Sequence, residues 1–551
     1  MNIITMNNKI FLTATVLLGV ALTACTDSFL DTSSKTESNT ETFYKTENDA
    51  YRALIGCYDG WRQTNSNPGI SFYLASEVMG AECYGALGNG DGRNYQVIDR
   101  FDINQSPADL NIFENDWKRY YEGLYRCNEM ISREEQFQWK ETNSHRGEYM
   151  GQAKALRALL YFDMVRLWEN IPLLTTPTSD NVPQAQPADV YRLIIDDLKY
   201  AAANIPDQQG AYDGHITAYA AKALLARVYL FYTGYYGQEP EGLTKAEALQ
   251  AVEDVIASGR YKLVDEFKNL WRPASAVATT PSASPATAED FVKLTGTFAG
   301  DDNSEILLSM KFTSTQDYNG NNDGNRWLVM TGIRTLNHSP YGKGWGSCTV
   351  SPNFFNSFAA GDTRRDASII DMAAEGYDLA EQALDQREQT GYAIKKYTPM
   401  VYTDGTCSNN SLEHTQDFQE GQYQDYIIMR YADVLLMAAE LGSANAQRYL
   451  DQVRDRAFGD NAHRVSATKE NILQERRWEL AFESVNYWDM LRQGIDNAAA
   501  QIATEQDVVS GGSPDHISIK AADFKAKRGL CQIPYNQIVL SNNVLKQNAG
   551  W

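Results

Sequence analysis

Positive charge is scarce in this sequence: 49 Lys and Arg stand against 71 Asp and Glu, a formal net charge of −22. The longest basic runs are pairs such as Lys395-Lys396 and Arg476-Arg477, so no patch tracks a phosphate backbone and nucleic acid is not an expected partner. Histidine is rarer still. The six (His145, His215, His338, His414, His463 and His516) are scattered, with no H-E-x-x-H, and there is no G-x-S-x-G. No two of the seven cysteines have C-x-x-C spacing, which argues against zinc. In "DYNGNNDGN" (317–325) Gly320 sits early and Leu328 stands where a calcium loop places its bidentate Glu. "GKGWG" (342–346) lacks the spacing and following helix of a phosphate loop. Neither a metal nor a cofactor is therefore expected. Among 71 carboxylates some acid–base pair is inevitable without being meaningful, so no enzyme is expected either. Beyond residues 10–22, no stretch approaches 18 apolar residues, which leaves no further candidate membrane span.

What is present begins with that run. Lys9 precedes 13 mostly apolar residues, 10–22, short of the ~20 needed to span a bilayer but suited to a signal-peptide core. "LTAC" (22–25) resembles a bacterial lipobox, in which cleavage leaves the cysteine first and acylates it. The expectation is a signal peptide over 1–24, lipidation at Cys25 and a lipidated linker over 25–40. Asp27 and Asp31 resemble the acidic export signal of surface lipoproteins. The other six cysteines (Cys57, Cys83, Cys127, Cys348, Cys407 and Cys531) allow 15 pairings, and disulfides and buried free thiols are both open. The 32 Tyr and 10 Trp are an unusual load for an acidic chain and point to some exposure for binding.

Two stretches repeat each other. "AKALRALLY" begins at Ala153 and "AKALLARVY" at Ala221, identical at six of nine positions and offset by 68, twice the 34-residue period of tetratricopeptide helix pairs. Leu156, Leu160, Met164 and Leu167 fall on one helix face. Further helices are expected over 117–131, 188–205, 245–259 and 431–457. Between about 259 and 423 the regularity disappears into low-complexity and glycine-rich stretches, interrupted by short strands such as "SEILLSMKF" (304–312). The expected fold class is mainly α: a TPR-like helical repeat scaffold with a long irregular insertion containing short strands.

"GQAKALRALLYFDMVRLWENIPLLTTP" (151–177), "AAKALLARVYL" (220–230), "RYADVLLMAAE" (430–440), "QERRWELAFESVNYWDMLRQG" (474–494) and "IPYNQIVLSNNVLKQNAGW" (533–551) occur in that order. Together they resemble the SusD/RagB family of surface lipoproteins from Bacteroidetes, across nearly the whole chain after the signal segment. The resemblance implies one SusD-like domain over 41–551. Its helical scaffold would occupy about 41–258 and 424–500, its ligand-binding insertion about 259–423, and a C-terminal segment 501–551. It implies a non-catalytic outer-membrane protein, lipid-anchored and facing the exterior, that binds a glycan and delivers it to a SusC-like TonB-dependent transporter. Oligopeptide capture is the alternative within the family, and a glycoside hydrolase the remote one outside it. Glu475, Arg476, Glu479 and Glu483 of "ERRWELAFE" are expected to form structural ion pairs at helical spacing.

Glycan binding needs flat apolar faces for sugar C–H groups, flanked by amides, carboxylates and Arg for hydroxyls. Two stretches offer both, in the regions from which family sites are generally drawn. Residues 82–96 carry Tyr84, Asp91, Arg93, Asn94 and Tyr95, and residues 325–347 carry Trp327, Tyr341 and Trp345. Trp345, between Gly344 and Gly346, is expected to be presented to solvent.

Overall fold

The computed structural model describes residues 43–66, 70–102, 107–206, 213–276, 287–313, 316–317, 321–322, 324–334, 340–401, 419 and 424–551. The expected signal segment, Cys25, its linker and Cys407 lie outside the described residues.

Helices form where the apolar periodicity demands a face to bury. Among the described residues, those of ten residues or more are α1 (Glu47–Ser66), α2 (Glu114–Ser132), α3 (Arg146–Trp168), α4 (Pro187–Asn204), α5 (Ala218–Tyr236) and α6 (Lys245–Ala257), then α7 (Tyr431–Glu440), α8 (Ala446–Phe458) and α9 (Lys469–Glu479). Each of α1 to α8 packs on the next, and α6 continues directly onto α7 across the intervening chain. Their ends are written locally. Pro187 opens α4, Thr244 and Glu247 close a reciprocal capping box on α6, and Gly237 ends α5 at φ +68°.

The internal repeat maps onto α3 and α5. Lys154 of α3 reaches Asp197 of α4 at 3.7 Å, and its counterpart Lys222 of α5 meets Asp254 of α6 at 2.7 Å. The repeated Lys thus ties each helix to a neighbour in both copies. Residues 155–168 of α3 are buried without a break, including Arg157, which forms a bidentate pair with Asp197 at 2.7 and 2.9 Å.

Residues 431–457, expected as one helix, are two. Gly442 at φ +85° donates to Ala439 O and Ser443 to Ala438 O, so the chain turns left-handed where "LGSAN" interrupts the apolar pattern.

Among the described residues, strands occur only in pairs. Two of these pairs join distant segments: β1 (Cys83–Ala86) lies antiparallel to β3 (Ser347–Val350), and β2 (Ile306–Met310) to β4 (Tyr426–Arg430). β5 (Thr504–Ser510) and β6 (Ser513–Ile519) form a hairpin.

Where the irregular half meets α9, the contact is ionic and almost fully buried. Arg430 reaches Glu483 at 2.7 Å and Glu305 at 2.9 Å. Arg364 holds Asp362 at 2.7 Å, Glu475 at 2.6 Å and Glu479 at 3.1 Å. Arg456 adds Glu305 at 2.6 Å, and Lys396 adds Glu483 at 2.7 Å. Burial alone would raise the Glu479 carboxyl, but Arg456, Arg430 and Arg364 hold it at about 2. The ion-pair expectation for "ERRWELAFE" holds with one correction: α9 ends at Glu479, and Glu483 arrives from a turn in which Phe482 and Ser484 take positive φ.

The five described cysteines expected to be paired or free, Cys57, Cys83, Cys127, Cys348 and Cys531, are buried free thiols.

Candidate functional site

The two stretches singled out for ligand contact come together. β1 pairs with β3 through Tyr84↔Thr349 and Ala86↔Ser347, which sets the loop after β1 beside the segment that carries Trp345. Leu87 N donates to Gly346 O at 3.2 Å, and Arg387 N to Leu87 O at 2.8 Å, so a third segment, 383–389, closes the other side. The β5–β6 turn packs behind it through Gly511 N to Gln386 O and Gly512 N to Ala383 O, both 2.9 Å.

Arg334 is the hub. Its guanidinium reaches Asp91 Oδ2 at 3.0 Å, Asp385 Oδ2 at 3.1 and 3.2 Å, and the Trp345 carbonyl at 3.4 Å. Asp91 also accepts from Gly88 N at 3.0 Å, and Asn89 Nδ2 donates to Leu384 O at 2.9 Å. Arg387 donates to the carbonyls of Asp91 and Gly92 at 3.0 and 2.8 Å, holding the loop from beneath. Burial, with the nearby Arg93, pulls the Arg387 guanidinium below its ordinary value, against the opposing pull of Glu388 and Asp91. Asn89, Asp91, Arg93 and Asn94 are exposed, and Leu384 is 65% exposed beside them.

Trp345 is half-buried, and the Arg326 guanidinium lies over its ring at 4.2 Å. Its flanking glycines have a different cause from the one expected. A Cβ on Gly344 would come within 2.5 Å of Gly332 Cα, and one on Gly346, at φ +74°, within 2.7 Å of Arg334 Cβ and Gln386 Nε2. These glycines allow close backbone packing, and the indole is seated by that packing rather than swung free. Tyr95 is also partly covered; its hydroxyl approaches Met330 Sδ at 4.0 Å, and burial pushes its phenol up.

Three candidates have no face to offer in this conformation. Trp327, 1% exposed, packs edge-on to Tyr426 at 6.1 Å. Tyr341 is fully buried, its hydroxyl 3.4 Å from Glu375, in a small cluster with Ile333, Ile370 and Met372. Tyr84, 3% exposed, turns its hydroxyl to Ser351 at 3.3 Å. Composition alone does not separate an aromatic that packs from one that binds. Arg334, Asn89 and Asp385 were not among the named candidates. "GIRTL" and "ALDQRE" give no local signal, because those side chains matter through partners far away in sequence.

One half-buried indole, an adjacent guanidinium, exposed amides and carboxylates fixed by Arg334 can stack on an apolar ring and serve its hydroxyls as donors and acceptors.

The comparisons extend over this whole arrangement. The family described as "SusD family" matches residues 304–551, and that described as "Starch-binding associating with outer membrane" matches residues 28–230. The chain is 27% identical over 540 residues to SusD-like protein P2 of Formosa agariphila, covering 93% of this chain and 94% of that one. It is 25% identical over 511 residues to a SusD-like protein of Bacteroides ovatus, covering 88% and 82%. Among solved structures, a laminarin binding SusD-like protein superposes with a TM-score of 0.70 at 26% identity, over 92% of this chain and all of that one. Surface glycan-binding protein A from Bacteroides thetaiotaomicron, in complex with laminarihexaose, gives a TM-score of 0.69 at 20% identity, with 92% and 100% covered, a likeness of fold. Two family signatures, one over residues 28–230 and one over residues 304–551, together with relatives matched almost end to end, make this chain a member of the SusD/RagB family.

Proposed function

We propose that this protein is a non-catalytic, cell-surface glycan-binding lipoprotein, anchored in the outer membrane through Cys25, that delivers captured oligosaccharide to a SusC-like TonB-dependent transporter. The cluster of Trp345, Arg326, Arg334, Asp91 and Asp385 carries the proposal, because it joins an apolar ring face to fixed hydroxyl partners on an exposed rim. Asp91, Arg93, Asn94 and Tyr95 extend that rim. A structural relative named for laminarin binding supports the ligand class. Asp91 and Asp385 both accept from one guanidinium, which fixes their position on the rim and supports a binding role.

The test is Trp345→Ala, with laminarihexaose and a panel of other hexasaccharides and peptides measured by calorimetry. Losing a stacked indole is expected to weaken binding about ten-fold, the equivalent of roughly 1–3 kcal/mol. Because the ring is half-buried, a modest fall in Tm is expected alongside. Unchanged affinity for the best ligand would remove Trp345 from the site. Binding to peptides alone would replace the glycan with an oligopeptide, and release of cleaved product would end the non-catalytic claim.

A further inference from the structure

A second groove lies at the opposite end of α1 from the candidate site. It encloses about 470 Å³ between the start of α1, the segment before α3 and the first turns of α3, and its lining includes Glu47, Asn48, Tyr51, Gln138, His145 and Tyr149. The rings form a row: His145 stacks on Tyr149 at 5.2 Å and 11°, Tyr149 meets Tyr51 at 5.6 Å and 44°, and Tyr51 meets His215 at 6.5 Å and 35°. The row is not sealed into the core. Tyr51 is 38% exposed and the His145 side chain 47%.

Beside the rings sits a carboxylate with one committed oxygen. Glu47 is 7% exposed, and its Oε1 accepts the His145 amide at 2.7 Å. Its Oε2 faces the Lys140 ammonium at 3.2 Å, but that side chain is 65% exposed and free to swing into water. A buried carboxylate oxygen with so loose a partner is costly to maintain, and a ligand hydroxyl would supply the missing donor. Asn48 and Gln138, both exposed, add amides at the rim. Glu47 in the lining, and Glu148 beside His145, make the groove unfavourable for an anion.

Aromatic surface, a poorly satisfied carboxylate and amides together suit a neutral, polyhydroxylated ring. We infer that this groove is a second saccharide-binding subsite on the helical scaffold, separate from the one around Trp345. The separation follows from α1 itself. Asn65, near its far end, bonds Asn325 Oδ1 at 3.3 Å, and Asn325 caps the short helix that carries Arg326. Tyr51 lies fourteen residues back, about 21 Å along the axis at the rise of an α-helix. Two subsites so spaced would grip a long glycan at two points, adding avidity that a short oligosaccharide does not feel.

The inference rests on the glycan reading, and the experiment keeps the two apart. Calorimetry on the mature chain would use laminarihexaose, or the hexasaccharide of the panel that binds best, and then the corresponding long polysaccharide. The wild type is expected to titrate with two sites. Tyr51→Ala and Glu47→Gln should each abolish one while sparing the site lost in Trp345→Ala, and each should weaken polysaccharide binding about ten-fold. The Gln variant keeps an acceptor for the His145 amide and guards against misreading a folding defect. One-site binding unaffected by either variant would overturn the groove and leave the glycan function standing. No saccharide binding by the wild type would overturn both. If the variants leave saccharide binding intact but release a copurifying membrane protein, the groove is a protein contact and the inference fails.

Discussion

Two contact faces, those of α3 and α9, are held by opposite means. α3 is enclosed by apolar neighbours over residues 155–168, with its few charges closed off in pairs such as Arg157 with Asp197. α9 meets its surroundings through Glu475 and Glu479, neither exposed, and a ring of guanidinium groups: Arg364 from the irregular half, Arg430 from β4, and Arg454 and Arg456 from α8. An apolar contact is graded: each methylene lost costs its share. A buried ion cluster is closer to all or nothing, because removing one partner leaves uncompensated charges in the core. The scaffold is therefore joined to the half that carries much of the candidate site through a seam whose members depend on one another.

The sharpest way to break that contrast is Arg430→Ala. It removes the cation shared by Glu305, Glu479 and Glu483, leaving them only Arg456, Arg364 and Lys396, and is expected to cost about 3–5 kcal/mol, read as a drop in the urea midpoint. A loss below about 1 kcal/mol, no more than an exposed pair gives, would mean that water reaches the seam.

A second, smaller effect concerns Glu77, which sits against the same seam and accepts Ser484 N at 2.6 Å. Burial raises its carboxyl from an ordinary 4.5 to about 8, against the pull of the Ser484 amide, and Glu82 and Glu483 add to the rise. The folded protein therefore keeps this proton longer than the unfolded chain. The stability it contributes is full below about pH 4.5 and is lost as pH climbs to about 8. Glu77→Gln, which keeps the acceptor and cannot ionise, should match the wild type near pH 5 and exceed it by a few kcal/mol at pH 8, with no further divergence above. Parallel stability profiles for the two proteins between pH 5 and 9 would show that Glu77 is charged in the fold.

The smallest effect belongs to the scaffold alone. Thr244→Ala removes the capping box of α6 and should cost about 1 kcal/mol, lowering Tm by a few degrees with glycan affinity unchanged. A change in affinity would mean that the scaffold end transmits strain to the site.

The contrast also explains what could be read from the residues in order. Helices α2, α4 and α6 lie within a few residues of their expected limits, because a 3.6-residue apolar period is a local property of the chain. Gly442 was visible in "ELGSAN" as a helix stop, but the apolar pattern resumes after it and hides the break. Tyr341 could not be distinguished from Trp345 in this way. Its burial is decided by Met400, to which it is bridged, and by Glu375, and neither is a sequence neighbour. Arg334 shows the same gap from the other side: its role exists only because Asp91 and Asp385 arrive beside it.

That last arrangement has a consequence for chain integrity. Asp91 lies 243 residues before Arg334 and Asp385 lies 51 after it, so the clamp is drawn from three separated stretches of the polypeptide. A proteolytic fragment ending anywhere between Tyr95 and Arg326 carries one part of the rim and lacks the groups that orient it. Because such distant contacts close late, after local helices have formed, the candidate site belongs to the completed molecule and to no piece of it.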